Sequence, residues 1–504
     1  MKFIYSLVVM GLLSHYVLAQ TTEKKEEKKE IPEARVFTAT QNATIGGKNI
    51  TLDTEAGTLQ LRNIKDEPIA LFGYTYYAKK GEDVGKRPIV FAYNGGPLSA
   101  SFWLHMGILG PKRVVINDPD FTKGAPYEIV NNEYSILDVA DLVMIDPVGV
   151  GLSHPIGEAE FKDFWSVDGD IESIGLFIEQ FLIAKGRMNA PKFLLGESYG
   201  TYRNAGLMKH LQDKGIALNG VIMVSAVFDL PYILFAPGDD RSYLMHFPTY
   251  AATAWYHNKV ANKPANLEDF LKEVRTFTEE VYAPALLKGD RLTESEKSQI
   301  ASQLAARSGL SQEYWLRADL RVKAREFFQE FMRKENRIVG RFDGRFTGLS
   351  QDLLNQNADY DPQSKAISAP YITAFKHYLY NDLKVVMQLT YVTSTSQREK
   401  FSWDWSHAGN MIFYTQATTS TAQDMATAMI QNPNLKVLIL NGYYDLATVF
   451  YGVEYSISHL GLPADLRKNI LMEYYEAGHM MYTHPPSMEK FKKDVAGFIE
   501  ELTK

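Results

Sequence analysis

The chain has no cysteine in 504 residues. That absence excludes disulfide staples, thiol catalysis and thiolate metal sites, and it fits a protein whose core is large enough to do without cross-links. No HExxH, CxxC or EF-hand-like spacing occurs, so nothing supports a metal mechanism, and no cofactor is expected. Basic charge is in deficit: 53 Lys and Arg stand against 60 Asp and Glu, for a net charge of −7. With no basic stripe in the folded part, nucleic acid is not an expected partner. Beyond the first residues, no apolar run is long enough to span a bilayer.

What is present is ordinary for a globular protein, with 45% hydrophobic and 22% charged residues. Met1 to Ala19 reads as a secretory signal peptide, with Lys2 as the positive start, Phe3 to Leu13 mostly apolar, and Val17-Leu18-Ala19 at the cleavage positions. A membrane anchor is the alternative, disfavoured by His15 and the short apolar run. The expectation is an exported protein, periplasmic or extracellular, and the cysteine-free chain leans toward a bacterial periplasm. Two sequons, at Asn42 and Asn49, matter only in a glycosylating host. Gln20 to Glu33 is Thr, Lys and Glu with almost nothing apolar, and reads as a solvated linker.

From Ala34 to Lys79 the pattern predicts short strands, with turns at Gly46-Gly47 and at Glu55-Ala56-Gly57 and an antiparallel strand at Phe72–Tyr77. Buried strands are then predicted at 89–93, 142–145, 192–195, 221–224, 435–440 and 471–475, with a helix at 171–184 whose Ile171, Ile174, Phe177, Ile178 and Phe181 share one face. Strands alternating with helices imply a mostly parallel sheet flanked by helices, with ligands at the carboxyl ends of the strands. Between about Pro237 and Glu399 the rhythm breaks into a largely helical stretch, with a capping box at Thr293–Glu296 and an apolar side of Val322, Phe327, Phe328 and Phe331. It reads as a cap inserted over the active site, the alternative being a separate helical domain. The expected division is signal peptide 1–19, linker 20–33, core 34–236, cap 237–399 and core 400–504.

The chemistry centres on Gly196-Glu197-Ser198-Tyr199-Gly200. An apolar strand precedes it and a helix, Thr201 to about Gln212, follows. G-x-S-x-G in that setting is a nucleophile elbow, which holds the serine in strained geometry above the sheet. A serine hydroxyl needs a base, and in this fold the order is serine, acid, histidine. Of the eleven histidines, His479 lies just after the last strand, at the carboxyl edge; His484, followed by Pro485 and Pro486, sits further away. Asp445, beyond the preceding strand, is the candidate acid to orient the imidazole. Two N–H groups must face the oxyanion: Tyr199 supplies one, and Asn94-Gly95-Gly96-Pro97, after the strand at 89–93, offers the other.

These blocks, with Asp146–Ser153, Pro248–Tyr256 and Gly340-Arg341-Phe342-Asp343, give a chain that resembles the serine carboxypeptidase family, and its cysteine-free bacterial branch in particular, over nearly everything after the linker. The resemblance implies an α/β-hydrolase fold with a helical cap and removal of C-terminal amino acids from peptides through an acyl-enzyme. It implies a triad of Ser198, Asp445 and His479 and an oxyanion hole of Gly96 and Tyr199. It also implies that Asn94 and Glu197 hold the substrate's free carboxylate. A glutamate can do so only by sharing a proton with it, since two ionised carboxylates repel, so peptide cleavage is expected to favour acid pH. Three departures stand out: Ala92 replaces the usual tryptophan, Leu98-Ser99-Ala100-Ser101 the usual Gly-Cys-Ser-Ser, and Ile108 a second glutamate. They leave an esterase or acyltransferase as the alternative enzyme. A binding protein on a dead scaffold would have lost a triad member, and none is lost. Tyr250, Trp255 and Tyr256 are candidates either for the site lining or for the cap core.

Overall fold

The computed structural model describes residues 31–387, 389–395, 401–407 and 419–504. The expected signal peptide and linker residues 20–30 lie outside the described residues; residues 31–33 are exposed and without regular structure. Among the described residues no helix is long and apolar enough to cross a membrane.

The strands are β1 (Val36–Ile45), β2 (Lys48–Arg62), β3 (Pro68–Lys79), β4 (Ile89–Tyr93), β5 (Lys112–Val114), β6 (Ile129–Asn131), β7 (Asp141–Ile145), β8 (His154–Pro155), β9 (Lys192–Glu197), β10 (Gly220–Val224), β11 (Arg337–Val339), β12 (Thr347–Leu349), β13 (Lys436–Gly442) and β14 (Ile470–Tyr475). Ten of them form one sheet in the order β1-β2-β3-β7-β4-β9-β10-β13-β14, with β8 beside β3. The pairs from β7 through β4, β9, β10 and β13 to β14 are all parallel. β4, β7, β9 and β10 are buried at every position, which is why they read as continuous apolar runs rather than alternating ones. β1 to β3 form an antiparallel meander at one side.

The turn expected at Glu55-Ala56-Gly57 is not there: β2 runs straight through it, pairing with β1 and β3 at once. The glycine answers to a close approach instead. A Cβ on Gly57 would stand 2.0 Å from the Arg35 carbonyl, which accepts the Thr58 N–H at 2.8 Å where the chain enters β1.

The helices that matter for the site are α1 (Val167–Ala184), α2 (Tyr199–Asp213), α3 (Arg241–Tyr256), α4 (Leu267–Phe277), α5 (Glu294–Ser308), α6 (Ala324–Glu330), α7 (Pro362–His377), α8 (Ala422–Gln431), α9 (Phe450–Ser458) and α10 (Pro485–Glu501). Ser166 caps α1 by accepting the Gly169 N–H at 2.9 Å. The α1 stripe packs on the meander, Phe177 against Phe72 and Phe181 against Tyr76 with ring centroids 5.3 Å apart in each pair. α3 to α6 build a second hydrophobic core, in which Tyr250 stacks on Phe327 at 4.1 Å, so Tyr250 belongs to the cap core. That core takes in Tyr443, Tyr444 and Leu446 from the loop after β13. α7 joins the sheet's own core, its Tyr371 and Phe375 lying on Trp103 and Phe102. The described residues between 237 and 395 therefore divide between two cores.

One charged network sits wholly inside. Asp141, at the start of β7, takes Arg87 Nε at 2.7 Å and Arg187 Nη1 at 2.5 Å. Arg187 also donates to the Tyr76 hydroxyl at 3.0 Å and to the Arg87 carbonyl at 2.6 Å. Removing one member of such a buried set strands the charge of another. Arg187→Ala is expected to lower unfolding free energy by about 3–5 kcal/mol, measured by urea denaturation; a loss below about 1 kcal/mol would mean the network behaves as a surface pair.

Candidate active site

The elbow forms where β9 turns into α2. Ser198 has φ 59° and ψ −127°, a region costly for a residue with a Cβ and held only where the surroundings impose it. Two contacts do so. The Ser198 N–H donates to the Val224 carbonyl of β10 at 2.9 Å, and its carbonyl accepts the Thr201 N–H at 2.8 Å. Gly196 is required by the sharpness of the turn, since a Cβ there would lie 2.2 Å from the Gly200 carbonyl oxygen. The half-buried Ser198 side chain makes no hydrogen bond among the described residues.

The other residues of the site hang from the same strand end. The Ser225 hydroxyl donates to the His479 carbonyl at 2.6 Å. The Thr448 hydroxyl lies 2.9 Å from the Ser225 carbonyl, 2.8 Å from Asp445 Oδ2 and 3.2 Å from His479 Nδ1. His479 Nδ1 is 2.8 Å from Asp445 Oδ2. The other Asp445 oxygen accepts the Ala447 and Thr448 N–H groups at 2.8 and 3.0 Å. Both side chains are almost fully buried. Burial opposes a charge on His479, but Asp445 and, more weakly, Glu197 outweigh it, so the imidazole is held above its ordinary value.

The Asn94–Gly96 loop lies directly against the elbow. A Cβ on Gly95 would stand 2.5 Å from the Tyr199 nitrogen and 2.7 Å from the Glu197 carbonyl, so only glycine admits this approach. Tyr199 opens α2, and its N–H is among the first-turn donors that a helix leaves unpaired. The loop is braced from behind: the Ser101 N–H donates to Asp146 Oδ1 at 2.8 Å, the Ser101 hydroxyl to the Ile145 carbonyl, and Arg203 Nη1 to the Asn94 carbonyl at 3.1 Å.

Glu197 is buried beside this cluster. Burial pushes its carboxyl up to about 7, against the pull of His479 and of hydrogen bonds from Tyr482 and Asn94. The Tyr482 hydroxyl donates to Glu197 Oε2 at 2.7 Å, and Asn94 Oδ1 is taken by the Leu104 N–H at 3.1 Å, which leaves its amide nitrogen for Glu197. Ala92 and Ile108 are both fully buried.

Ser198, Tyr199, Gly96, Asn94, Glu197, Asp445 and His479 are thus gathered at the carboxyl ends of β4, β9, β10, β13 and β14. His484 is elsewhere: its Nδ1 meets Ser487 Oγ at 2.8 Å in the first turn of α10. Tyr482, Thr448 and Ser225 escaped the sequence reading. Tyr482 carries no signal beyond its nearness to His479; Thr448, three residues after Asp445, has the spacing of a local side-chain turn. Among the described residues no three His, Asp or Glu side chains are arranged to hold a metal ion.

A mostly parallel sheet, a strained serine between strand and helix, and an acid–histidine pair following in chain order define an α/β-hydrolase. The family model for serine carboxypeptidases matches residues 47–503, and the chain belongs to that family. Comparison with curated proteins gave no match. Among solved structures, the chain is similar to a proline iminopeptidase from Mycobacterium smegmatis, at 12% identity and TM-score 0.36, covering 88% of this chain and 98% of that one. It is also similar to a soluble variant of monoglyceride lipase from Saccharomyces cerevisiae, at 14% identity and TM-score 0.36, covering 88% and 95%. At these scores neither likeness speaks to chemistry.

The electrostatics generate a test. A general base works only when neutral, and ionised Glu197 helps hold the proton on His479. Glu197→Gln removes that charge, so the acid limb of kcat/KM for a neutral ester is expected to move to lower pH. An unmoved limb would mean that the two groups do not share a field.

Proposed function

We propose that the protein is an exopeptidase that releases C-terminal amino acids from peptides through an acyl-enzyme on Ser198. His479 takes the Ser198 proton as the oxygen attacks the scissile carbonyl, and Asp445 holds the ring and stabilises its charged form. The Gly96 and Tyr199 N–H groups receive the oxyanion. Collapse of the tetrahedral adduct passes the His479 proton to the leaving amine, and a water activated by the same imidazole releases the acyl group.

The observation that carries the exopeptidase reading is Glu197, a buried carboxyl near 7 beside the triad. Below that value it holds a proton and, with Asn94, donates to a terminal carboxylate; above it, two negative charges would meet. His479 must be neutral in the same enzyme, so activity on free-acid substrates belongs to the window in which Glu197 is protonated and His479 is not. Protonation of Glu197 also removes one of the charges that keep the proton on His479, which widens that window from below.

Buried Ala92 and Ile108 favour a second reading, an esterase or acyltransferase with the same triad, because neither side chain has a group that can hydrogen-bond a carboxylate. Met1–Ala19 supports export, which we propose alongside the activity.

The test compares an N-blocked dipeptide with its C-terminal amide and ester between pH 4 and 8. Preference for the free acid is expected to grow below about pH 7, and Ser198→Ala is expected to lower all turnover by roughly 10⁴-fold or more. Equal turnover of acid and amide at every pH, or ester turnover alone, would transfer the triad to the second reading.

A further inference from the structure

Gly340-Arg341-Phe342-Asp343 belongs to the cap, yet it is threaded between the two loops that carry Asp445 and His479. The Leu446 N–H donates to the Arg341 carbonyl at 3.1 Å, the His479 N–H to the Phe342 carbonyl at 2.6 Å, and the Gly344 N–H to the Tyr444 carbonyl at 2.9 Å. The Gly478 N–H donates to Asp343 Oδ2 at 3.1 Å. From the other side, Asp361 accepts the Arg341 and Phe342 N–H groups. The segment is fixed to within a hydrogen bond of the base and of the acid's neighbour.

Its side chains continue the contact. The Phe342 ring lies 5.1 Å from the His479 ring, tilted by 34°, and the Arg341 guanidinium carbon lies 4.8 Å from the Phe342 centroid. Arg341, Phe342 and His479 form one column. The guanidinium that ends it has no hydrogen bond or ion pair among the described residues. The contrast with Arg345, four residues on, is sharp: that arginine is buried and held by Asp118 and Asp343.

The carboxylates near Arg341 are committed elsewhere. Asp361 accepts three backbone N–H groups, those of Arg341, Phe342 and Ser364, and Asp445 serves His479, Ala447 and Thr448. Protein surrounds Arg341 closely enough to draw its guanidinium below the ordinary value by desolvation, yet the side chain keeps exposed surface. The guanidinium is thus hemmed by protein while the residue stays open to solvent. Five N–H donors in a planar fork, one ring away from His479 and with no hydrogen bond or ion pair among the described residues, suit an oxyanion taken bidentately, and in a peptide substrate that oxyanion is a carboxylate.

We propose that Arg341 is a substrate-recognition residue that binds a carboxylate of the substrate next to the bond being cleaved. The carboxylate is either the chain terminus or an acidic side chain. The inference deepens the peptidase reading and rests on it for the identity of the substrate.

The test is read on ester turnover, so it does not require that peptides be cleaved. Inhibition constants are measured for N-acetyl-leucine, which has a terminal carboxylate only, for N-acetyl-glutamic acid α-amide, which has a side-chain carboxylate only, and for N-acetyl-leucinamide, which has neither. In the wild type, at least one of the carboxylates is expected to bind about tenfold or more tighter than the neutral compound. Arg341→Gln is expected to abolish that margin and Arg341→Lys to restore part of it, since lysine keeps the charge but loses the fork. Loss confined to the first inhibitor assigns the chain terminus; loss confined to the second assigns an acidic side chain. A margin that survives in Arg341→Gln, or no margin in the wild type, overturns the proposal. If the wild type turns over esters but releases no amino acid from peptides, the peptidase reading fails and the inhibition constants still decide the role of Arg341.

Discussion

The active site depends on the carboxyl end of β10. The Val224 carbonyl takes the Ser198 N–H and so holds this residue, the proposed nucleophile, at positive φ. One residue on, Ser225 leaves the strand with φ 51°. Its hydroxyl reaches the His479 carbonyl and its carbonyl faces the Thr448 hydroxyl. Three loops that are far apart in the chain are thereby tied to two consecutive residues, Val224 and Ser225, at the end of a buried strand in the middle of the sheet. Strain at Ser198, of order 1–3 kcal/mol, is sustained because the strand beneath it cannot yield without breaking pairs to β9 and β13.

Around that anchor the charges fall into two kinds. Asp141, Asp170 and Asp343 are each matched by a buried arginine, and they serve the scaffold. Glu197 has no arginine or lysine paired with it among the described residues, and only His479, when its ring is protonated, acts on it as a cation. It is met by a phenol and an amide, so its cheapest state inside the protein is the protonated one up to about neutral pH, and a protonated carboxyl can donate where an ionised one would repel. The reverse case is Arg341, a cation with no ion pair or side-chain hydrogen bond among the described residues, its nearby carboxylates Asp361 and Asp445 being engaged by other donors. We propose that these two groups, Glu197 and Arg341, are what recognises charge in the substrate; the matched pairs hold the frame in which they sit.

Much of this was legible in the chain. The inner parallel strands announced themselves as apolar runs because β4, β7, β9 and β10 are buried at every position, and the observed ends of the six expected strands lie within two residues of the expected ones. The elbow was legible because its glycines are demanded by backbone contact, as at Gly196. Asp445 and His479 followed from strand order. What escaped was decided by tertiary contact alone. Gly57 looked like a turn because its spacing cannot show the Arg35 carbonyl pressed against it. Nothing in the sequence around Tyr482 shows that the fold sets its hydroxyl on Glu197. Arg341 sits in a block that the family resemblance marks, but the role we propose for it depends on neighbouring carboxylates being engaged elsewhere, which spacing along the chain does not show.

The central claim is that Ser198 is a nucleophile activated by His479. A fluorophosphonate ester, read by intact mass and peptide mapping, tests it without assuming any substrate. The account predicts a single adduct on Ser198, formed more slowly as pH falls through the titration of His479 and absent from Ser198→Ala. An adduct on another residue, or none on folded protein, would contradict it.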